Sequence, residues 1–285
     1  MNLDTKEQRA KAFDYLFDAV VVTDMKGIIT DWNRGSEALY GYTKEEAIGQ
    51  LVSILHVPDD SAGIISEVLS AVQANEKWSG EVRMLHKNGS IGWLESVCVP
   101  FYAKNGEMAG ALGINRDITK RKKEAERLQH RADYDHLTDI PNRYLLLDRL
   151  KHLMAQCERN NGTFALFFVD LNKFKLINDT KGHAFGDQVL IEVANILKRK
   201  IRNSDTVARF GGDEFIMLLE DINNKKDALN MMETLSAELD TESIINGEKF
   251  KFSASIGVAL YPDEGSTIEQ LLSVADKAMY AIKSK

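Results

Sequence analysis

The sequence contains the stretch Arg209-Phe210-Gly211-Gly212-Asp213-Glu214-Phe215, from which a hairpin can be predicted. Apolar residues lie on both sides of it, and the two glycines interrupt them where a two-residue hairpin turn would sit. The pattern predicts two antiparallel strands whose turn carries two carboxylates. Because glycine has no Cβ, a bulky anionic ligand could approach this backbone closely, while the carboxylates offer hard oxygen ligands to a divalent cation. Taken alone, the stretch is equally typical of an ordinary hairpin with solvated acids.

Composition indicates a globular chain with room for two domains. The chain has 285 residues, of which 44% are hydrophobic and 28% charged, and no apolar run reaches the length of a membrane span. Its two cysteines, Cys98 and Cys157, lie far apart, and its first residues lack the apolar core of a secretory signal, so a reducing cytoplasm is expected. The net charge of -7 argues against non-specific binding to nucleic acid.

The first 117 residues alternate short strands and helices. A helix is predicted over residues 5–17, where apolar residues recur at helical spacing, and a hairpin over residues 19–32. Short helical segments follow at residues 36–40, 44–48 and 64–74. Two more hairpins turn at Asn88-Gly89 and Asn105-Gly106, both strong turn dipeptides. The predicted order is two strands, several helices and three strands.

This order and several motifs within it resemble a PAS domain. The motifs are Asp31-Trp32-Asn33-Arg34, the stretch from Tyr40 to Gly49, Asn88-Gly89-Ser90 and the closing residues 113–122. The resemblance implies a sensory and dimerising module over residues 1–117, with a five-stranded antiparallel sheet. Some relatives bind haem, flavin or a small molecule, so the PAS ligand is unknown. Haem is not expected on the long helix, since residues 64–74 contain no histidine. A module that only dimerises remains an alternative.

Residues 118–132 are predicted to form a helical linker. They are dense in charge, and apolar residues recur at intervals of seven, three and four at Ile118, Ala125, Leu128 and Ala132. This is the seam of a short coiled coil, which is too weak to dimerise alone. Tied to a dimeric PAS domain, the helix could set the spacing of two downstream domains. An exposed linker helix without signalling content fits the same charges.

Residues 133–285 are predicted to form the second domain. An amphipathic helix passes through Leu146, Leu150, Leu153 and Cys157. After it come strand 164–169, helix 188–201, the Gly-Gly hairpin, helix 228–239, strand 250–260 and helix 268–282. Such alternation predicts one sheet with helices packed against it. The whole chain is therefore expected to be a mixed α/β (α+β) protein.

Polar residues in this second domain form a candidate site. Strand 164–169 ends at Asp170, and an acid there, beside a hairpin tip with two more, could hold Mg²⁺ on a triphosphate. Lys175, placed on the loop after that strand, and Lys283 could neutralise phosphates. Asn178 and Asp187 carry groups that could pair with guanine. Each is weak evidence alone, because Asp187 could cap a helix and Asn178 could occupy a turn.

Five motifs in matching order resemble the GGDEF domain. They are Asp135-His136-Leu137-Thr138 with Pro141-Asn142-Arg143, the segment 170–178, Lys181-Gly182-His183 with Gly186-Asp187, the hairpin stretch, and residues 275–280. Members of that family are diguanylate cyclases, which join two GTP molecules into cyclic di-GMP on a palm-like fold shared with nucleotidyl cyclases. The resemblance implies a homodimer, because each domain holds one GTP and two half-sites must meet.

The resemblance also assigns roles to individual residues. Asp170, the Leu171 carbonyl and Asp213 look like ligands of Mg²⁺ or Mn²⁺, two ions per half-site, and Glu214 would assist metal binding or deprotonation. The residues matched to substrate binding are Phe174, Lys175, Asn178, Asp187, Gly211, Gly212 and Lys283. Arg202 and Asp205 match the Arg-x-x-Asp site at which product inhibits the family.

Two departures from the family pattern affect these expectations. Asn172 stands where many members have a second acid, and no arginine occurs after Arg209, so a second product-binding arginine is missing. A crosslink by product would then need Lys225, Lys226 or another domain's arginine. Two other functions remain open: a catalytically weak GGDEF receptor that binds GTP or cyclic di-GMP, and an adaptor that acts through PAS assembly.

Overall fold

The computed structural model describes residue 8 and residues 12–222 and 224–284, and it divides into two compact units, Met1–Arg127 and Leu128–Lys285. Most of the helix predicted over residues 5–17 lies outside the described residues. Within the described part, residues 12–14 are helical, whereas Leu16 and Phe17 are exposed and not helical. None of the helices in these ranges is both long and apolar enough to cross a membrane.

The first unit is built on a five-stranded antiparallel sheet with the spatial order β2-β1-β5-β4-β3. Its strands are β1 (Ala19–Asp24), β2 (Ile29–Trp32), β3 (Trp78–Leu85), β4 (Ile91–Tyr102) and β5 (Met108–Asp117). Between β2 and β3 lie α1 (Arg34–Tyr40), α2 (Lys44–Ala47), a 3-10 turn (Val52–Leu55) and α3 (Pro58–Gln73). The predicted order of two strands, several helices and three strands is confirmed.

Turn chemistry explains where these strands reverse. The Asp24 carboxylate accepts hydrogen bonds from the backbone N–H groups of Lys26 and Ile28, and the Asn88 side chain accepts from Ser90 N–H. Asn and Asp side chains often bond their own backbone two residues further on, which stabilises a turn. Within the core, the buried Asn33 side chain caps α1 and also accepts from Val20 N–H at 2.9 Å. These bonds join α1 to β1.

A helix, α4 (Thr119–Asp133), follows β5. Its first turn is capped by the Asp117 carboxylate, which accepts from Thr119 N–H at 2.7 Å. Of the predicted seam residues, Ile118 is buried, whereas Ala125, Leu128 and Ala132 are exposed. The seam therefore offers its apolar side chains to solvent over most of the helix.

The second unit contains a four-stranded antiparallel sheet with the order β11-β6-β8-β7 and a separate two-stranded hairpin. The strands are β6 (Phe164–Leu171), β7 (Thr206–Gly211), β8 (Glu214–Glu220), β9 (Glu242–Ile245), β10 (Glu248–Lys251) and β11 (Ala254–Tyr261). The helices are α5 (Arg143–Asn160), α6 (Phe174–Lys181), α7 (His183–Arg199), α8 (Lys225–Leu239) and α9 (Ile268–Lys283).

Strand β6 is the centre of this unit, and all eight of its residues are buried. Alternate side chains point to opposite faces of a strand, so β6 serves two apolar layers. Phe167 and Val169 pack in the layer that includes α7 and α8, whereas Leu166 and Phe168 pack in the layer that includes α5 and α9. Helices on both faces explain why β6 reads as a continuous apolar run ending at an acid.

Three local predictions for the second unit are wrong. The strand predicted over residues 250–260 is two strands. At Phe252 and Ser253 the chain passes from β10, in the two-stranded hairpin, to β11, in the four-stranded sheet. Lys175, predicted on a loop, and Asn178, considered as a turn residue, both lie in α6. The β7–β8 hairpin turns at Gly212 and Asp213 rather than at the two glycines, because Gly211 still belongs to β7.

Candidate functional site

The tip of the β7–β8 hairpin presents Asp213, while Glu214 is already the first residue of β8. Gly212 adopts a left-handed conformation with φ +54°, which an L side chain rarely takes. The Arg209 guanidinium donates to the Gly212 carbonyl at 3.0 Å from Nε and 2.8 Å from Nη2. The same side chain donates to Asp135 Oδ1 at 3.0 Å. Arg209 therefore joins the turn to the segment that precedes α5.

Strand pairing brings the end of β6 to this hairpin. Asp170 lies opposite Glu214 in the β6–β8 register, and Leu171 N–H donates to the Asp213 carbonyl at 3.3 Å. Asp170 is 8% exposed, so its carboxylate is largely withdrawn from water. The structure thus brings together the predicted metal ligands Asp170, Leu171 and Asp213, with Glu214 beside them.

The electrostatics of this group favour a bound cation. Burial, and in second place repulsion from Asp170, raise the pKa of Asp213 above its usual value. Burial also raises the pKa of Glu214, and the charges of Asp170 and Asp213 add to the shift. One positive charge is supplied by Lys283, whose Nζ donates to Asp170 Oδ1. A divalent cation bound here would relieve the repulsion that Asp170 exerts on Asp213 and Glu214.

The donor set suits a magnesium ion that also binds a substrate. Mg²⁺ prefers oxygen ligands and is commonly held by one or two carboxylates together with substrate phosphates. Within residues 12–222 and 224–284, no three side chains of His, Cys, Asp or Glu converge on one point. The protein would therefore contribute Asp170, Asp213 and the Leu171 carbonyl, and the remaining ligands would be phosphate oxygens and water.

The other predicted substrate residues lie on the two helices that follow β6. Phe174, Lys175 and Asn178 belong to α6, and Asp187 lies near the start of α7. Lys175 and Asp187 are exposed, and Asn178 is partly buried. A Cβ built at Gly211 or at Gly212 meets no atom of the described residues within 4 Å, which leaves the backbone at the tip open to a ligand.

Arg202 and Asp205 lie together at the opposite end of the hairpin. The Asp205 carboxylate accepts from Arg202 N–H at 2.8 Å and from Glu220 N–H at 3.1 Å, so it already bonds the start of β7 to the end of β8. Strand β7 has six residues, which is about 20 Å at the usual rise per residue. The predicted product site is therefore separated from the acidic tip by the length of this strand.

Several residues that support the site were not assigned a role from the sequence. Asp135 accepts from Thr138 N–H, Thr138 Oγ1 and Arg209 Nη1. The Asn172 amide donates to Ser253 Oγ at 3.0 Å and accepts from Ser255 Oγ at 2.8 Å. Asn172 therefore joins the segment after β6 to Ser253 and to Ser255 of β11. The Asp-x-x-Thr spacing was visible beforehand, but nothing in the sequence paired Asn172 with the serines.

The first unit contains a small cavity of about 80 Å³. It is lined by apolar residues together with His56, Ser96, Cys98 and Asn115. Burial lowers the pKa of His56, and its buried Nδ1 has no hydrogen-bond partner in the part of the chain that the structure describes. Sites for drug-sized ligands usually measure about 300–1,000 Å³, so this cavity is too small for haem or flavin in the present conformation.

Family models match both units. One described as "Diguanylate cyclase, GGDEF domain" matches residues 132–285, and one described as "PAS fold" matches residues 29–115. The chain is 32% identical over 281 residues to the probable diguanylate cyclase DgcE of Escherichia coli K12, a match that covers 98% of this chain and 25% of that protein. It is 39% identical over 157 residues to the diguanylate cyclase TpbB of Pseudomonas aeruginosa, covering 55% and 36% respectively. The chain thus spans well under half the length of these relatives.

Solved structures resemble the second unit. The GGDEF domain of Pseudomonas aeruginosa TpbB aligns with a TM-score of 0.51 and 38% identity, covering 53% of this chain and 88% of that one. The coiled coil and GGDEF domain of Caulobacter crescentus DgcB, solved in complex with c-di-GMP, aligns with a TM-score of 0.53 and 27% identity, covering 59% and 88%.

Proposed function

The chain belongs to the family of GGDEF-domain diguanylate cyclases, and we propose that it joins two GTP molecules into cyclic di-GMP with release of two pyrophosphates. The observation that carries the proposal is the β6–β8 pairing, which sets Asp170 opposite Glu214 and the Leu171 N–H against the Asp213 carbonyl; burial and repulsion from Asp170 raise the pKa values of Asp213 and Glu214. Such a cluster is suited to hold divalent ions on a triphosphate.

Asp170, Asp213 and the Leu171 carbonyl would hold Mg²⁺ or Mn²⁺, two ions per half-site. When bound, the ions would lower the pKa of the attacking 3′-hydroxyl and neutralise charge on the leaving pyrophosphate. Glu214, which follows Asp213 at the start of β8, would take the hydroxyl proton.

The remaining residues would position the nucleotide. Asn178 and Asp187 would read guanine, and Phe174 would border the substrate on the same helix as Asn178. Lys175 and Lys283 would contact phosphates, and Lys283 already contacts Asp170 at the site. The open backbone at Gly211 and Gly212 would admit the phosphates closely.

The reaction requires two copies of the domain. Each would bind one GTP, and the 3′-hydroxyl of each must face the α-phosphate of the other, so a homodimer is part of the proposal. The first unit and the exposed seam residues of α4, Ala125 and Leu128, offer a means of bringing two copies together. The PAS module would thereby regulate the rate.

The test is to incubate the full chain with GTP and Mg²⁺ and to follow cyclic di-GMP by chromatography. We expect Asp213→Asn to lose at least about 100-fold in rate, because a metal ligand is lost, while the turn keeps its shape. Asp263→Asn changes an exposed acid after β11 and serves as the matched control. Binding of GTP by the unaltered chain without product would favour the receptor alternative, and no nucleotide binding would favour the adaptor.

We also propose that cyclic di-GMP inhibits the enzyme through Arg202 and Asp205. A cavity of about 450 Å³ borders Asp205 and is lined from α5 by Arg149 and His152. These two side chains could replace the arginine that is missing after Arg209, in place of the predicted Lys225, which instead pairs with Glu264. The Arg149 guanidinium suits a phosphate or guanine edge, and the His152 ring can offer a further hydrogen bond.

Feedback can be tested by measuring product affinity and initial rates with added cyclic di-GMP. Arg202→Ala should weaken product binding by about tenfold or more, which is the usual effect of removing one charge-assisted contact, and should leave the uninhibited rate unchanged. Arg199→Ala, on an exposed arginine at the end of α7, is the control. Equal inhibition of all three proteins would place the feedback site elsewhere.

A further inference from the structure

Gly186, in the first turns of α7, packs directly against Asn178 of α6. A Cβ built on Gly186 would lie 1.9 Å from Asn178 Oδ1 and 3.0 Å from its Cγ. Real side chains do not approach so closely, so any larger residue at this position would force the Asn178 side chain to move. The third neighbour, Phe174 Cζ at 3.3 Å, could adjust by a few tenths of an ångström.

This contact sets the orientation of the Asn178 amide. Among the residues that the structure describes, its buried Oδ1 has no hydrogen-bond partner. Its Nδ2 is not among the buried unpaired atoms, and it makes no hydrogen bond within the described residues, so it reaches solvent. The oxygen can accept a weak Cα–H contact from Gly186, whereas the reverse orientation would press N–H hydrogens against the glycine. The donor end of the amide is therefore presented outward.

We propose that Gly186 is a positioning residue that turns the donor end of Asn178 toward the base, so that the site selects purines with an acceptor at position 6. Guanine carries such an acceptor, O6, whereas adenine carries an amino donor there. Asp187 follows Gly186 on α7, and its exposed carboxylate would accept from N1–H and the exocyclic amine. The proposal rests on the proposed function and names the feature that gives that site its base preference.

The experiment measures equilibrium binding of two pairs of nucleotides to the full chain, with Ca²⁺ in place of Mg²⁺ to suppress turnover. GTP and 6-thioguanosine triphosphate differ only in the acceptor at position 6, because sulfur accepts poorly. GTP and inosine triphosphate differ only in the exocyclic amine. The first ratio of dissociation constants reports the Asn178 contact, and the second reports the Asp187 contact.

The unaltered protein should bind GTP about five- to tenfold more tightly than the 6-thio analogue, as expected for one hydrogen bond. Gly186→Ala should bring that ratio close to one while the preference for GTP over inosine triphosphate persists. The matched control is Gly63→Ala, at a helical glycine of α3 whose Cβ would meet no atom within 4 Å, and it should change neither ratio. Adding Gly186→Ala to Asn178→Ala should cause no further change.

A second variant keeps the proposal testable if Gly186→Ala does not fold. Asn178→Asp has the same shape but lacks the donor, so it should also lose the preference for GTP over the 6-thio analogue. Full preference in folded Gly186→Ala or in Asn178→Asp would overturn the proposal, as would its absence in the unaltered protein. Selective binding without cyclic di-GMP in the Mg²⁺ assay would instead contradict the proposed function and leave the role of Gly186 standing.

Discussion

Gly211 and Gly212 are adjacent in sequence, but their backbones make different demands. Gly212 has φ +54°, whereas Gly211 is the last residue of β7 and has no positive φ. Neither has an atom within 4 Å of its Cβ position. The turn conformation therefore requires glycine at position 212, whereas glycine at position 211 matters only for the space that it leaves to an approaching ligand.

The two glycines can be separated by alanine substitution. We expect Gly212→Ala to lower the free energy of unfolding by about 1 kcal/mol, the cost of a left-handed L residue. Gly211→Ala should leave that free energy within about 0.5 kcal/mol of the unaltered protein and still weaken GTP binding, because its methyl group projects into the open space at the tip. Urea unfolding and nucleotide titration provide the two readouts. Comparable destabilisation by both variants would contradict the distinction.

Among the secondary-structure elements, the sequence best predicted a strand that is buried on both faces and the turns that contain an Asn-Gly pair. The apolar run before Asp170 became β6, and both Asn-Gly turns of the first unit were confirmed. A third Asn-Gly pair, Asn246-Gly247, was overlooked. Its two residues have positive φ and connect β9 to β10, so the same signal could have predicted this additional hairpin.

Only part of the candidate site could be predicted from the sequence. Its acids belong to short sequence patterns, whereas the residues that contact the site come from distant parts of the chain. Asp213 and Glu214 follow from the hairpin pattern, and Asp170 from the end of a buried strand. The Lys283 contact joins residues 113 positions apart, and the Asn172 contact to Ser255 spans 83. Periodicity carries no information on such pairs. The placement of Lys175 and Asn178 failed because α6 begins only three residues after β6 ends, within a stretch that looked like a loop.

The Asp135–Arg209 pair links two elements and should affect stability in a pH-dependent way. Burial raises the pKa of Asp135, but hydrogen bonds from Thr138 and Arg209 outweigh it, so the net pKa lies below the usual 3.8. A lowered pKa means that the carboxylate stabilises the fold above that value and loses this contribution as the pH falls through the folded pKa. Asp135→Asn should therefore be destabilising at pH 7 and progressively less so below about pH 4.

Urea unfolding between pH 7 and pH 3 measures this difference. Asp139→Asn is the matched control, because Asp139 lies in the same segment, is largely exposed and has a positive φ that asparagine tolerates. The control should show little change at any pH. A destabilisation by Asp135→Asn that stays constant to pH 3 would mean that the carboxylate charge contributes nothing.

At the scale of the whole molecule, the proposed mechanism predicts a dependence on concentration. Removing residues 1–117 leaves the second unit, which has its own core, and a solved TpbB fragment comprises the GGDEF domain alone. Dimer formation would then rely on weaker contacts, so specific activity should fall in dilute solution and recover in part at high protein concentration. Initial rates over a hundredfold range of enzyme concentration would test this. Rates per molecule that do not vary with concentration would contradict it.

The tie between Asp135 and the hairpin constrains how chimeric sensors can be assembled. Asp135 lies two residues after α4 ends, and the Pro141 carbonyl accepts from Arg209 N–H at 2.9 Å. A foreign input cassette joined anywhere between these two residues would remove an anchor of the turn that bears Asp213. A junction inside α4 would keep both anchors and leave only the helical phase to be matched. The part of this chain that a chimera must retain therefore begins within α4, ahead of Asp135.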